Sequence, residues 1–178
     1  KLLEDFKINL SVSSDITYNI LPSPHFLIKD TKIFQDKSRD EELKVISEVK
    51  YLKVFISQKN LVDKKRLNIK NILINDANFL LHLEDFKLFN KIKESQFSNK
   101  EIKVKNSNIF LKDSENETIA LIKLDKAILL YDDLKRLNII NLKAEAFNVP
   151  IIFNSNNKIS STRENEVNLS IKKFKINF

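Results

Sequence analysis

The chain has 178 residues, 42% hydrophobic and 31% charged, with a formal net charge of +7; that is ordinary globular usage in an amount suited to one domain. It contains no Gly, Cys or Met, where average usage would give roughly a dozen glycines. Their absence excludes Gly-dependent phosphate loops, the nucleophile elbow, the EF-hand, thiolate catalysis, Cys-ligated zinc and disulfides.

Hydrophobic periodicity predicts the elements in chain order. Phe6, Ile8, Leu10 and Val12 alternate with Lys7, Asn9 and Ser11, the pattern of a half-buried strand. Ile16, Tyr18 and Ile20 continue such a face until Pro22-Ser23-Pro24 stops it. Phe26, Ile28 and Ile33 follow, and the charged stretch 35–42 reads as a loop. Val49 and Tyr51, then Val54 and Ile56, predict a strand whose phase slips at Leu52-Lys53, as at a bulge. Within 67–83 the apolar residues form two rows separated by Asn75-Asp76-Ala77-Asn78, a turn candidate in which Asn replaces Gly. Phe86, Phe89 and Ile92 recur at three residues, predicting a short amphipathic helix over 84–94. Further strands are expected at 102–104, 108–111, 119–124, 127–131, 137–142, 144–153 and 167–178, with turns at 112–117 and 154–157. The sum is a mainly β, antiparallel domain over 1–178 with little helix. Because the chain does not open with Met, it is expected to be a portion of a longer one.

One heptapeptide, 65–71, recurs as 135–141 with a single change at its sixth position and opens a strand in both copies. The acidic clusters Asp40-Glu41-Glu42, Asp113/Glu115/Glu117 and Asp132-Asp133 fit solvated turns better than a calcium site. His25 and His82 lack the partners a metal site needs. No nucleophile, base and orienting group converge, so neither an enzyme, a metal nor a cofactor is expected. Lysines stand singly between apolar residues, as in Ile102-Lys103-Val104-Lys105, and only four Arg are present. That is an outward strand face rather than a nucleic-acid stripe, and no nucleic-acid partner is expected. No stretch reaches the ~18 apolar residues of a membrane span.

What remains is a set of strands with one apolar and one polar face. Such a sheet must bury its apolar face by closing into a β-sandwich, or by curling into a trough whose interior takes a ligand. Residues 16–33, a strand running through Pro22-Ser23-Pro24 into Phe26-Leu27-Ile28-Lys29-Asp30-Thr31-Lys32-Ile33, resemble the N-terminal signature of AsmA-like proteins. The resemblance extends through Val49 to Ile56, Asn60-Leu61-Val62 and the pair of rows at 67–74 and 78–83, and covers roughly 3–153. At 84–94 a helix is predicted where the family carries a Gly- and Asn-bearing turn. The resemblance implies a strongly curved, groove-like sheet. It implies a periplasmic location behind an inner-membrane helix, with Lys1 to Asp5 as the tail of that helix. It also implies a part in moving phospholipid, or another acyl-chain lipid, to the outer membrane during its assembly. In that frame Ile72, Ile74, Phe79, Leu81, Ile109, Leu111 and Leu121 are the candidate groove residues.

Overall fold

The computed structural model describes residues 2–6, 8–11, 15–34, 44–57, 68–83, 96–158 and 165–171. The predicted loop at 35–42 and helix at 84–94 lie outside them. A short helix, α1 (Leu2–Phe6), precedes ten strands. These are β1 (Asn9–Leu10), β2 (Ile16–Asn19), β3 (His25–Phe34), β4 (Val45–Ile56), β5 (Ile69–His82) and β6 (Ile102–Lys112). After them come β7 (Thr118–Asp132), β8 (Leu137–Ala146), β9 (Val149–Lys158) and β10 (Asn165–Ile171). All ten belong to one sheet in the order β1, β3 to β10, with β2 also pairing β3, and the sheet does not close on itself. The architecture is therefore mainly β and built on one open sheet rather than the two sheets of a sandwich.

Every described pairing is antiparallel except β5 with β6, which run parallel from Ile72↔Ile102 to His82↔Lys112. The antiparallel expectation misses this pair. A parallel neighbour needs a long crossover, and the chain between β5 and β6 supplies one. Its returning leg is pinned to the strands by Phe97 N–H donating to Asn138 Oδ1 at 3.0 Å and Tyr131 N–H to the Ser98 carbonyl at 2.8 Å.

Several strands predicted as pairs are single long strands. Residues 75–78 are not a turn: β5 runs straight through them, and β6 and β7 likewise each join two predicted pieces. The reason is the backbone at one position per strand. Asp30, Asp76 and Asn106 carry φ of 49°, 56° and 47°, left-handed values that short polar side chains tolerate better than others. Each bends its strand without ending it. The converse error falls at 144–153, where a predicted strand contains the β8–β9 hairpin. Its two loop residues, Phe147 and Asn148, have φ of 51° and 61°, as a two-residue type I′ turn requires. The predicted turn at 154–157 lies inside β9.

The bends coincide. Asp30 stands between the paired positions Lys29↔Tyr51 and Thr31↔Val49, opposite Lys50; Lys50 in turn stands opposite Asp76. Asn106 stands opposite Asp125, and Asp125 is the extra residue at the register shift between β7 and β8. A line of irregularity thus crosses five strands. On either side of it the buried positions change parity: Ile28 then Thr31, Val49 then Leu52, Ile74 then Ala77, Val104 then Ser107, Leu124 then Ala127. The one slip predicted, at Leu52-Lys53, belongs to this line and sits at Lys50-Tyr51. Bulge-like irregularities bend a strand and raise its twist, and aligned across five strands they crease the sheet.

In the buried row beside the crease, the small side chains Thr31, Ala77, Ser107 and Ala144 are interleaved with Val49 and Leu124. Where the β5–β6 ladder lapses, the buried Ser107 hydroxyl accepts the Ala77 N–H at 3.1 Å and donates to the Lys105 carbonyl at 2.7 Å. The Thr31 hydroxyl donates to the Ser11 carbonyl, tying β1 to the same line.

Of the predicted strand at 6–12, Asn9–Leu10 is present as β1, whereas Phe6 ends the helix α1. Leu2 and Phe6 fall four apart on one helix side; Phe6 is buried in the core, and Leu2, Ile8 and Leu10 pack against it. Asp5 pairs with Lys100 Nζ at 2.5 Å, and the same ammonium lies 5.9 Å from the Phe6 ring centre.

Candidate functional site

The feature that dominates the molecule is a set of apolar rows running across the strands on one face. Following the pairings, Ile16, Ile28, Leu52, Ile74, Val104, Ala127, Leu142, Phe153 and Leu169 stand opposite one another in turn. Nine strands contribute to this row without one polar residue. A parallel row takes Tyr18, Phe26, Val54, Ile72, Ile102, Leu129 and Ile140 before reaching Ser155. Beyond the crease, Leu10, Ile33, Ser47, Phe79, Ile109, Ile122, Ala146 and Val149 form a third.

Coverage changes along these rows. In the first row Ile28, Leu52, Ile74, Val104 and Ala127 are at most 8% exposed, whereas Leu142 and Phe153 are half-buried and Leu169 is 59% exposed. The face is closed over β3 to β7 and opens at both ends, toward β10 and toward β2, where Ile16 is 46% exposed. One end of the face is polar: Asn138, Ser155 and Asn157 are buried, with the Ser155 hydroxyl 3.0 Å from Asn157 Oδ1.

Six of the seven sequence-predicted groove residues share this face, in two settings. Ile72 and Ile74 are closed core. Phe79 faces Ile109, and Leu81 faces Leu111, as half-buried neighbours beyond the crease. Leu121 is a correction. It pairs with Phe110, which pairs with Leu80, and that trio lies on the opposite face. Leu121 is 42% exposed there and borders a depression of about 370 Å³ with Ile119 and Phe147. Its parity is set by Ile122 and Leu124, which point to the closed side before the slip at Asp125.

The open strip around Leu142, Phe153 and Leu169 is missed by sequence reasoning because two turns are misplaced at 144–157. The polar pairs Lys29-Asp30, Lys50-Tyr51, Asn75-Asp76, Lys105-Asn106 and Asp125-Lys126 mark the change of parity in β3 to β7. β8 to β10 hold no such pair, and the strip is found there only once Phe147-Asn148 is recognised as the turn between β8 and β9.

The opposite face carries the charge. Lys32 pairs across strands with Glu48 at 3.5 Å and Lys123 with Glu145 at 3.2 Å, while Lys29 reaches Asp15 at 3.2 Å. All are exposed, so each is worth roughly 0–1 kcal/mol. The acidic clusters at 113–117 and 132–133 act in turns: Asp113 Oδ1 accepts the Glu115 and Glu117 N–H groups, and Asp132 Oδ1 those of Leu134 and Lys135. Asp40-Glu41-Glu42 lies outside the described residues. His25 is buried with Nδ1 2.7 Å from the Ser23 carbonyl and its ring against Phe55; His82 Nε2 is 3.2 Å from Asn116 Oδ1. Among the described residues no three His, Cys, Asp or Glu side chains gather where they could hold a metal ion, and no helix is long and apolar enough to cross a membrane. No family model matches the chain, and no curated protein matches it.

Proposed function

We propose that this chain is a non-enzymatic module of the cell envelope that holds the acyl chains of phospholipid along its apolar rows. In the setting implied by the AsmA resemblance it stands in the periplasm, tethered to the inner membrane, and passes lipid toward the outer membrane. The observation that carries the reading is the nine-strand apolar row on a sheet that does not close, its far end uncovered at Leu169. An acyl chain needs a continuous apolar strip and no reactive group. It gains about 25 cal/mol for each Å² of apolar surface removed from water, and its headgroup stays outside. The strip suited to it is the half-open part at Leu142, Phe153 and beyond the crease at Phe79 and Ile109. The closed part at Leu52 and Ile72 is its support.

A second reading, a structural β-domain without ligand, is favoured by the closure of the rows over β3 to β7. Photo-crosslinking in cells separates the two. A photoreactive residue is placed at Phe79 and at Phe153, with Asn78 as the control. Asn78 lies on the opposite face, where its Oδ1 accepts from Asn108 Nδ2 at 3.1 Å. Phospholipid captured at 79 and 153 but not at 78 is the expected result. Crosslinks only to the protein itself at all three positions would leave the structural reading.

A further inference from the structure

The two edges of the sheet differ. One is made of β1 and β2, two and four residues long, with Pro22 and Pro24 just after β2; short strands and prolines are common ways of blunting an edge. The other is β10. Its seven residues pair with β9 in unbroken register from Asn165↔Asn157 to Ile171↔Ile151, and no strand among the described residues pairs its outer side. Residues 165–171 contain no Lys, Arg or Pro. Asn168, Leu169, Ser170 and Ile171 are all exposed. Glu166 is the one charged residue in it, near its start, and from Val167 to Ile171 the described edge has neither charge nor proline.

We propose that β10 is a self-complementary edge to which β10 of a second copy of this chain adds antiparallel, about a twofold axis at Leu169. The sequence around that position reads the same in both directions as apolar and polar. Val167 meets Ile171 of the second copy, Leu169 meets Leu169, and Asn168 meets Ser170. Charge selects the same orientation: Glu166, the one charge within β10, precedes the centre, so parallel in-register pairing would set it against its own copy and antiparallel pairing separates the two. Strand addition supplies the main-chain hydrogen bonds, while alternate side chains set the register. The twofold axis keeps both apolar faces on one side, so the row ending in Phe153 and Leu169 runs on into the second copy. This pairing does not depend on the lipid reading.

The chain has no cysteine, so single-cysteine variants of it report the register. Directly opposed residues have Cβ atoms about 4.5–5.5 Å apart, close enough for disulfide exchange with small backbone movement. Leu169→Cys is expected to oxidise to a homodimer. Asn168→Cys alone is expected not to, but to crosslink when mixed with Ser170→Cys. Sedimentation of the unmodified chain is expected to show a concentration-dependent dimer. Leu169→Lys, with an unchanged circular dichroism spectrum, is expected to weaken that dimer about tenfold or more. A chain that stays monomeric at its highest soluble concentration overturns the proposal. So do equal crosslinking at 168 and 169, or open-ended ladders of higher oligomers.

Discussion

Leu52 and Leu169 sit on the same face, belong to the same cross-strand row and have the same chemistry, yet one is 1% exposed and the other 59%. Alternation alone therefore does not make a core. What separates them is the second surface: β3 to β7 carry the crease, and the helix bearing Phe6 packs into that region. β9 and β10 continue the apolar pattern past the last bend, with the face still to be covered. The molecule is a folded core over β3 to β7, with the same apolar rows left exposed at β2 and at β10.

Truncation breaks this comparison most sharply. Leu52→Ala removes a side chain packed on every side and is expected to lower stability by about 2–5 kcal/mol. Leu169→Ala, on the exposed end of the same row, is expected to change it by about 0.5 kcal/mol or less. Urea unfolding of the two variants checks both. Similar losses would mean that β10 is covered in solution, and the distinction between core and open strip would fail.

The next effect concerns the crease that creates the closed half. Asn106 holds φ of 47° with its Nδ2 3.3 Å from Asn75 Oδ1 across the β5–β6 pair. A β-branched residue there meets the carbonyl clash that disfavours left-handed backbone, so Asn106→Val is expected to cost about 1–2 kcal/mol. Asn106→Gly should keep the bend. If the valine variant unfolds with the same midpoint as the parent chain, the left-handed residues do not shape the sheet.

The crease also marks where the sequence is legible. The fold class, the β2 strand, its stop at Pro22 and the bend inside β4 follow from period-two alternation and proline chemistry. The loss of parity in β5, β6 and β7 does not, because a bent strand and two strands joined by a turn have the same apolar spacing. Asn75-Asp76-Ala77-Asn78 fits either, and the choice is made by β4, whose Val49 and Tyr51 pair with Ala77 and Asn75 on both sides of Asp76. Leu121 falls on the other face from the one expected because 119–124 carries apolar residues at both parities, Ile119 and Leu121 against Ile122 and Leu124. The recurring heptapeptide teaches the same lesson. Its first copy exposes Asn68 and buries Ile69, whereas its second buries Asn138 and leaves Ile139 half-exposed. Identical residues meet opposite faces because their neighbours set the register. A sequence without glycine obscures this further, since five of the seven described left-handed residues are Asp or Asn and those residues are also abundant in ordinary strands here.

A small gain in stability is expected at the β8–β9 turn, on the open side. Phe147 occupies the first left-handed position of a two-residue hairpin, 77% exposed, where Asn or Gly is the usual choice. Its aromatic ring gains little burial to offset the backbone cost. Phe147→Gly relieves roughly 1–2 kcal/mol of left-handed strain and adds a smaller loss in unfolded-chain entropy, a net gain of about 0.5–1 kcal/mol. A thermal melt of the variant measures it. A rise in midpoint with no change in lipid capture at Phe153 would make Phe147 a tolerated strain. A rise accompanied by loss of capture would tie this exposed ring, beside Ile119 and Leu121, to the working of the open side.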